Sequence, residues 1–199
     1  MSATVVLASQ SATRQAVLRG AGVPFEAAGG SGLDEEAAKA GLLAGGATPR
    51  AVAEVLADQK ALALSRGPRD LVIGADQTLE LDGRLYDKAE TLRDARARLQ
   101  LLRGRSHRLH SAVTVARGGA VLWREARSAT LTMREFSEDF LDDYLATEGA
   151  AALGSVGCYR LEGLGVQLFD QIEGDYFTIL GLPLMGLLDL LRREGVLRP

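Results

Sequence analysis

Two kinds of strand signal coexist along this chain, and together they constrain the fold more than any other feature. Residues 4–8 form a short β-branched apolar run that passes into a Ser/Thr-rich turn. Helical spacing follows from Arg14 to Arg19, closed by Gly20 and Gly22. That order reads as strand, polar turn, helix. Elsewhere the signals are those of hairpins: residues 79–85 contain Asp82-Gly83, and residues 108–115 and 120–123 alternate around Gly118-Gly119. A chain that mixes βα units with antiparallel hairpins is expected to form an α/β fold, a mixed twisted sheet flanked by helices.

The remaining elements fit this frame. Pro49 opens a helix whose apolar stripe runs through Val52, Val55, Leu56, Ala63 and Leu64 and ends near Gly67. Residues 70–75 read as a continuous apolar strand. A helix is expected at 92–102, and Ser137 caps another that runs through Phe140, Leu141, Tyr144 and Leu145, with Asp139 suited to its dipole. Residues 166–172 and 177–180 read as strands, and a last helix follows Pro183. Residues 26–48 are rich in Gly and Ala with weak periodicity, apart from a short acidic-started helix at 34–43, and suit the edge of a cleft. No repeat or linker divides the chain, so residues 1–199 are expected to form one domain, or two lobes sharing one cleft.

Composition narrows the functional classes. The chain has 199 residues, 47% hydrophobic and 25% charged, enough to bury a substantial core. Its net charge of -3 is spread along interleaved acidic and basic residues, so no long-range field favours nucleic acid and polyanion binding must come from a few placed cations. The single cysteine, Cys158, excludes an internal disulfide framework, suits a reducing compartment and reads as a buried bystander. The opening nine residues, Met1 to Ser9, lack a basic n-region and are too short in apolar run for a signal or membrane segment. The apolar stretch at 179–191 is broken by Pro183, Gly186 and Asp189. No membrane span and a cytoplasmic location are expected.

The chemistry-bearing residues begin at the first strand–helix turn. A helix start with free backbone N–H groups attracts phosphate. Ser9, Ser11 and Thr13 add hydroxyls there, and Arg14 adds a planar fork. An N-cap beside a solvated arginine explains the same residues equally well. Asp76 follows the 70–75 strand, with Gly74 and Ala75 keeping the neighbourhood small. Where a strand runs out, a carboxylate can hold Mg²⁺ or take a proton from water; a turn-starting aspartate is the competing reading. Lys60 interrupts the apolar face formed by 52, 56 and 63–64, and either meets an anion or snorkels to solvent. Lys88 reads as surface by pattern alone. Asp34, Glu35 and Glu36 read first as the solvated start of a helix and second as metal ligands. His107 and His110, three apart in a strand, point to opposite faces and do not make a metal site. Phosphate-loop, dinucleotide-fingerprint and nucleophile-elbow motifs are absent from the sequence.

Several segments together resemble the Maf family of nucleotide pyrophosphatases. They are Leu7-Ala8-Ser9-Gln10-Ser11-Ala12-Thr13-Arg14, Leu33-Asp34-Glu35, Gln59-Lys60-Ala61, Ile73-Gly74-Ala75-Asp76-Gln77, and Glu162-Gly163-Leu164-Gly165 through Gly181-Leu182-Pro183-Leu184. They occur in the family's order and span nearly the whole chain. The resemblance implies an elongated mixed α/β fold like that of the inosine triphosphate pyrophosphatases, with two lobes around a central cleft and frequent homodimers. It implies cleavage of a nucleoside triphosphate between its α and β phosphates, with Mg²⁺ or Mn²⁺ as cofactor.

Carried over by position, the resemblance puts Ser9, Ser11, Arg14, Lys60 and Lys88 on the phosphates, Glu35 at the metal and nucleotide, and Asp76 as base or metal carboxylate. Gln77 after Asp76, and Glu162 before Gly163, resemble the subgroup acting on N7-methyl-GTP rather than the one acting on dTTP and UTP. Three departures concern the pocket: Ala12-Thr13-Arg14-Gln15 keeps one arginine where Pro-Arg-Arg is frequent, Asp87-Lys88-Ala89 replaces Gly-Lys-Pro, and Ser155 replaces a lysine. The rivals are an inosine or xanthosine triphosphatase and a division-linked protein that binds nucleotide without turnover.

Overall fold

The apolar run at 70–75 is only the first half of its strand. That strand, β3 (Leu71–Leu81), is the spine of a seven-stranded mixed sheet. The computed structural model describes residues 4–30 and 32–199, so residues 1–3 of the opening segment lie outside the described residues. β1 (Val5–Ala8) pairs in parallel with β3 and with the two-residue β2 (Glu26–Ala27). β4 (Arg84–Tyr86) folds back on β3 through Asp82 and Gly83, whose φ values of 50° and 76° are those of a two-residue hairpin turn. β5 (Ser106–Arg117) and β6 (Ala120–Met133) form the long hairpin on Gly118-Gly119, and β7 (Phe169–Glu173) pairs antiparallel with the end of β6. The strand order is β2-β1-β3-β5-β6-β7, with β4 beside β3.

Five helices begin on the cap that their sequence encodes. Ser11, Asp34, Thr48, Thr91 and Ser137 each accept the backbone N–H three residues on, at the starts of α1 (Ala12–Gly20), α2 (Glu35–Ala44), α3 (Pro49–Leu64), α4 (Leu92–Leu102) and α5 (Glu138–Glu148). Such a cap is worth about 1 kcal/mol. α6 (Tyr176–Ile179) and α7 (Leu184–Arg193) follow β7. Two expected strands are corrected here. Residues 164–168 form a 3₁₀ turn, so the strand starts only at Phe169. Residues 177–180 belong to α6 and its end, because Asp175 accepts the Thr178 N–H at 2.9 Å and starts a helical turn in an apolar, β-prone stretch.

The two faces of β3 are covered differently. The face of Asp76, Thr78 and Glu80 lies under α3, whose Val52, Ala53, Leu56, Ala57 and Ala61 are buried. Gly74 makes this close seat possible, since a Cβ there would fall 2.2 Å from the Ala57 carbonyl oxygen and 2.5 Å from the Ala61 nitrogen. On the opposite face two apolar cores follow one another. One gathers Leu7, Leu18, Leu71, Ile73, Val113 and Leu187; the other gathers Leu79, Leu81, Leu99, Leu109, Leu131 and Tyr144. Between them the cross-strand pair Gln77 and Ser111, with the buried Thr178, makes a polar seam. No helix of the described residues is long and apolar enough to cross a membrane.

Candidate active site

The site forms where the sheet is interrupted. β1 stops at Ala8, opposite Gly74, and β4, running the other way, ends at Tyr86 opposite Leu79. Over the intervening stretch β3 keeps β5 on one side and has no strand on the other among the described residues. Asp76 lies in this stretch, paired with Ala112. The expectation that Asp76 closes its strand is therefore corrected: β5 carries β3 onward, and it is the neighbouring strand that runs out. Either way the carboxylate reaches an opening at the edge of a strand.

Arg14 fills the opening from α1. Its Nη1 donates to the Ala75 carbonyl at 3.0 Å and to Ser9 Oγ at 3.2 Å, while Nε donates to the Gly181 carbonyl at 2.8 Å. This guanidinium is thus fixed by backbone, not solvated, and Nη2 has no hydrogen-bond partner among the described residues. Burial pushes its pKa down, against the charges of Asp76 and Glu35, and an arginine remains protonated regardless. Ser9 Oγ also accepts the Ser11 N–H at 3.3 Å, and Ser11 Oγ accepts the Arg14 N–H at 3.3 Å. Both oxygens act as acceptors here, so both hydroxyl hydrogens stay available to a ligand.

Lys60 does not snorkel. It is 6% exposed, and its Nζ lies 2.7 Å from Asp76 Oδ1 and 2.7 Å from Glu35 Oε2. The two carboxylates therefore converge on one ammonium. Glu35 comes from the first turn of α2, where Asp34 is the cap and both Glu35 and Glu36 are exposed. The acidic run thus starts a helix and also brings one carboxylate to Lys60. Lys88, in the loop after β4, is exposed on the same groove. Partial burial lowers its pKa first, then the charges of Arg14 and Lys60, while Asp76 and Glu35 oppose the shift.

All the expected site residues line a single groove of about 1500 Å³. Two do so in a manner the sequence does not indicate. Gln77 points away from Asp76 by strand alternation, and its Nε2 faces Ser111 Oγ at 2.9 Å and the Thr178 and Ile179 carbonyls at 3.1 and 3.0 Å. Its amide holds α6 in place. Glu162 lies on another stretch of the groove lining, 3.7 Å from Arg160 Nε, and Arg160 in turn meets Glu148 at 3.2 Å. The sequence reading missed Lys39, which pairs with Asp87 and ties α2 to the loop that carries Lys88. A signal for it existed, since Lys39 follows Glu35 by four residues and shares its helix face.

The two histidines have unrelated partners on opposite faces, as expected. His107 Nε2 meets Tyr159 Oη at 2.7 Å, and burial pushes its pKa down to about 4. His110 sits between Glu80 Oε2 at 2.8 Å and Ser128 Oγ at 2.7 Å. Cys158 is buried, and burial raises its thiol pKa, as befits an inert bystander.

A groove that gathers two serine hydroxyls, a fixed guanidinium and ammonium groups beside carboxylates at a sheet opening has the donors that an α/β protein uses for phosphorylated ligands. Comparison with known proteins narrows this class. The family model described as Maf-like protein matches residues 4–194, and the chain belongs to that family. It is 61% identical over 193 residues to a nucleoside triphosphate pyrophosphatase of Caulobacter vibrioides, covering 97% of this chain and 96% of the relative. It is 50% identical to a nucleoside triphosphate pyrophosphatase of Granulibacter bethesdensis, covering 97% and 98%. A 7-methyl-GTP pyrophosphatase of Brucella abortus is 47% identical over 195 residues, with 98% of each chain covered.

Proposed function

We propose that this protein is a nucleoside triphosphate pyrophosphatase that hydrolyses the α–β phosphate bond and releases a nucleoside monophosphate and pyrophosphate. The observation that carries the reading is the Asp76 carboxylate, held at a sheet opening beside the donors of Arg14, Ser9 and Ser11. The relatives' names supply the reaction. The Brucella abortus relative, and a 48% identical 7-methyl-GTP pyrophosphatase of Rhizobium etli, favour N7-methyl-GTP as the substrate.

Asp76 and Glu35 suit Mg²⁺ or Mn²⁺. Their oxygens already converge on one cationic atom, and oxygen donors are what these hard ions take. Among the described residues no group of three or more His, Cys, Asp or Glu side chains could hold a metal, so Asp76 and Glu35 are the protein groups that would hold the ion. When bound, the ion supplies charge neutralisation on the phosphates and acidifies a coordinated water. The protein does the rest. Asp76 accepts the proton of the water that attacks the α-phosphorus. Arg14 and Lys88 hold the departing pyrophosphate oxygens, and Ser9 and Ser11 donate their hydroxyl hydrogens to the same chain.

The test is a panel of N7-methyl-GTP, GTP, dTTP, UTP, inosine triphosphate and xanthosine triphosphate with Mg²⁺ or Mn²⁺, scored separately for pyrophosphate and orthophosphate. Pyrophosphate with a monophosphate is the expected product pair, fastest for N7-methyl-GTP. Orthophosphate with a diphosphate would place cleavage at the wrong bond, and binding without turnover would leave a nucleotide-binding protein.

A further inference from the structure

The carboxylates suited to a divalent ion already have a cation, and it belongs to the protein. Lys60 Nζ lies 2.7 Å from each of Asp76 Oδ1 and Glu35 Oε2, on a side chain that is 7% exposed. Its stem leaves α3 among Leu56, Ala57 and Ala61, all 0% exposed, so the ammonium has no route to bulk water along its own helix face. The charges of Arg14 and Lys88 reach the same two carboxylates. Around Asp76 and Glu35 three cationic groups, Lys60, Arg14 and Lys88, thus stand against two carboxylates, while the rest of the groove lining carries Lys39 and Arg160 against Glu36, Asp87, Glu90 and Glu162.

From this balance, and resting on the pyrophosphatase reading, we infer that Lys60 is a resident counter-cation that excludes a free divalent metal from Asp76 and Glu35 until a triphosphate draws it away. A dication entering alone would sit beside an ammonium in a partly dehydrated site, where like charges repel strongly. A nucleoside triphosphate reverses the balance. It brings several negative charges to these three cations, gives Lys60 a new anionic partner and frees the carboxylates for the metal. Metal and nucleotide then each raise the other's affinity by the same factor. The three cations clustered at Asp76 and Glu35 take the phosphates first, and the metal follows the nucleotide in.

Calorimetric titration of the full chain with Mn²⁺ tests this, alone and with a nucleoside triphosphate analogue whose α–β bridge is methylene, after subtraction of Mn²⁺ binding to the analogue itself. The wild-type protein is expected to bind Mn²⁺ about 10- to 100-fold more tightly with the analogue present. In Lys60→Met the nucleotide-free affinity should rise by about 10-fold and the coupling should shrink, whereas Lys88→Met, whose ammonium pairs with neither carboxylate, should change it less. Equal Mn²⁺ affinity with and without the analogue would overturn the inference, as would weaker Mn²⁺ binding by Lys60→Met. Should Lys60→Met misfold, Lys60→Gln, which also removes the charge, carries the same comparison. Nucleotide hydrolysis accompanied by analogue-independent Mn²⁺ binding sinks this inference alone; failure to hydrolyse any nucleotide sinks the functional reading beneath it.

Discussion

α3 sends Lys60 into the groove and α2 places Glu35, Glu36 and Lys39 on its lining, yet the two helices are held in opposite ways. Lys60 rises from a helix whose Val52, Ala53, Leu56, Ala57 and Ala61 are at most 1% exposed, pressed on β3 at Gly74. α2, which carries Glu35, buries none of its residues. Its ties to the rest of the site are the ion pairs of Glu35 with Lys60 and Lys39 with Asp87. The Lys39–Asp87 pair, with Asp87 well exposed, is worth about 0–1 kcal/mol, and the Glu35 end of the other pair is itself exposed. The site therefore has a half fixed by the core and a half that can adjust when a ligand enters, because few buried contacts must break for α2 to shift.

Substitutions in the two halves should separate cleanly. Arg14 belongs to the fixed half, and Arg14→Ala removes a donor aimed at developing charge, which typically costs about 3–4 kcal/mol. Turnover should fall by roughly two to three orders of magnitude, read from initial rates of pyrophosphate release. A near-normal rate would remove Arg14 from the phosphate assignment. Gly74→Ala drives a methyl into the α3 backbone. It should cost about 1–3 kcal/mol of folding stability, visible as a lower denaturant midpoint, and slow turnover as Lys60 shifts from Asp76. An unchanged midpoint would break the claim that α3 is seated so tightly.

In the adjustable half the losses should appear in function and not in stability. Glu35→Gln is expected to lower turnover by about tenfold while stability stays within about 0.5 kcal/mol, measured by thermal melting beside the rate assay. A large drop in melting temperature would show that α2 is fixed after all. Lys39→Ala should do least, raising KM by about twofold with kcat unchanged, because it removes one surface ion pair that steadies α2. A matching fall in kcat would instead put Lys39 at the chemistry.

Much of this architecture was legible because its determinants are local. Pro49 and Ser137 mark helix starts, Asp82-Gly83 and Gly118-Gly119 mark hairpins, and each works through its immediate neighbours. The continuation of β3 from the 70–75 run through 76–78 into the 79–85 hairpin was not legible. Asp76, Thr78 and Glu80 look like the end of an apolar strand until their partners are known, and those are Lys60, the Pro49 carbonyl and His110. Residues 177–180 failed for a related reason, since their apolar, β-branched composition is overridden by the Asp175 cap and by the polar hold of Gln77 and Ser111 on Thr178.

The site divides along the same line. Lys60 announced itself by interrupting an apolar face. Lys88 and Glu35 could be placed only by resemblance, because the fold-back of β4 and the approach of α2 to α3 leave no mark on nearby residues. Gln77, read as a mark of substrate preference, lines the same groove as Asp76 while its amide is bound to the turn of α6.

The central claim is that the Asp76 carboxylate performs the chemistry in this groove, and Asp76→Asn tests it most directly. The variant keeps an oxygen for Lys60 and loses the proton acceptor. With N7-methyl-GTP and saturating Mn²⁺, pyrophosphate release should fall by roughly 10²- to 10⁴-fold while the protein melts cooperatively and still binds nucleotide. Release at the wild-type rate by the folded variant would contradict the account.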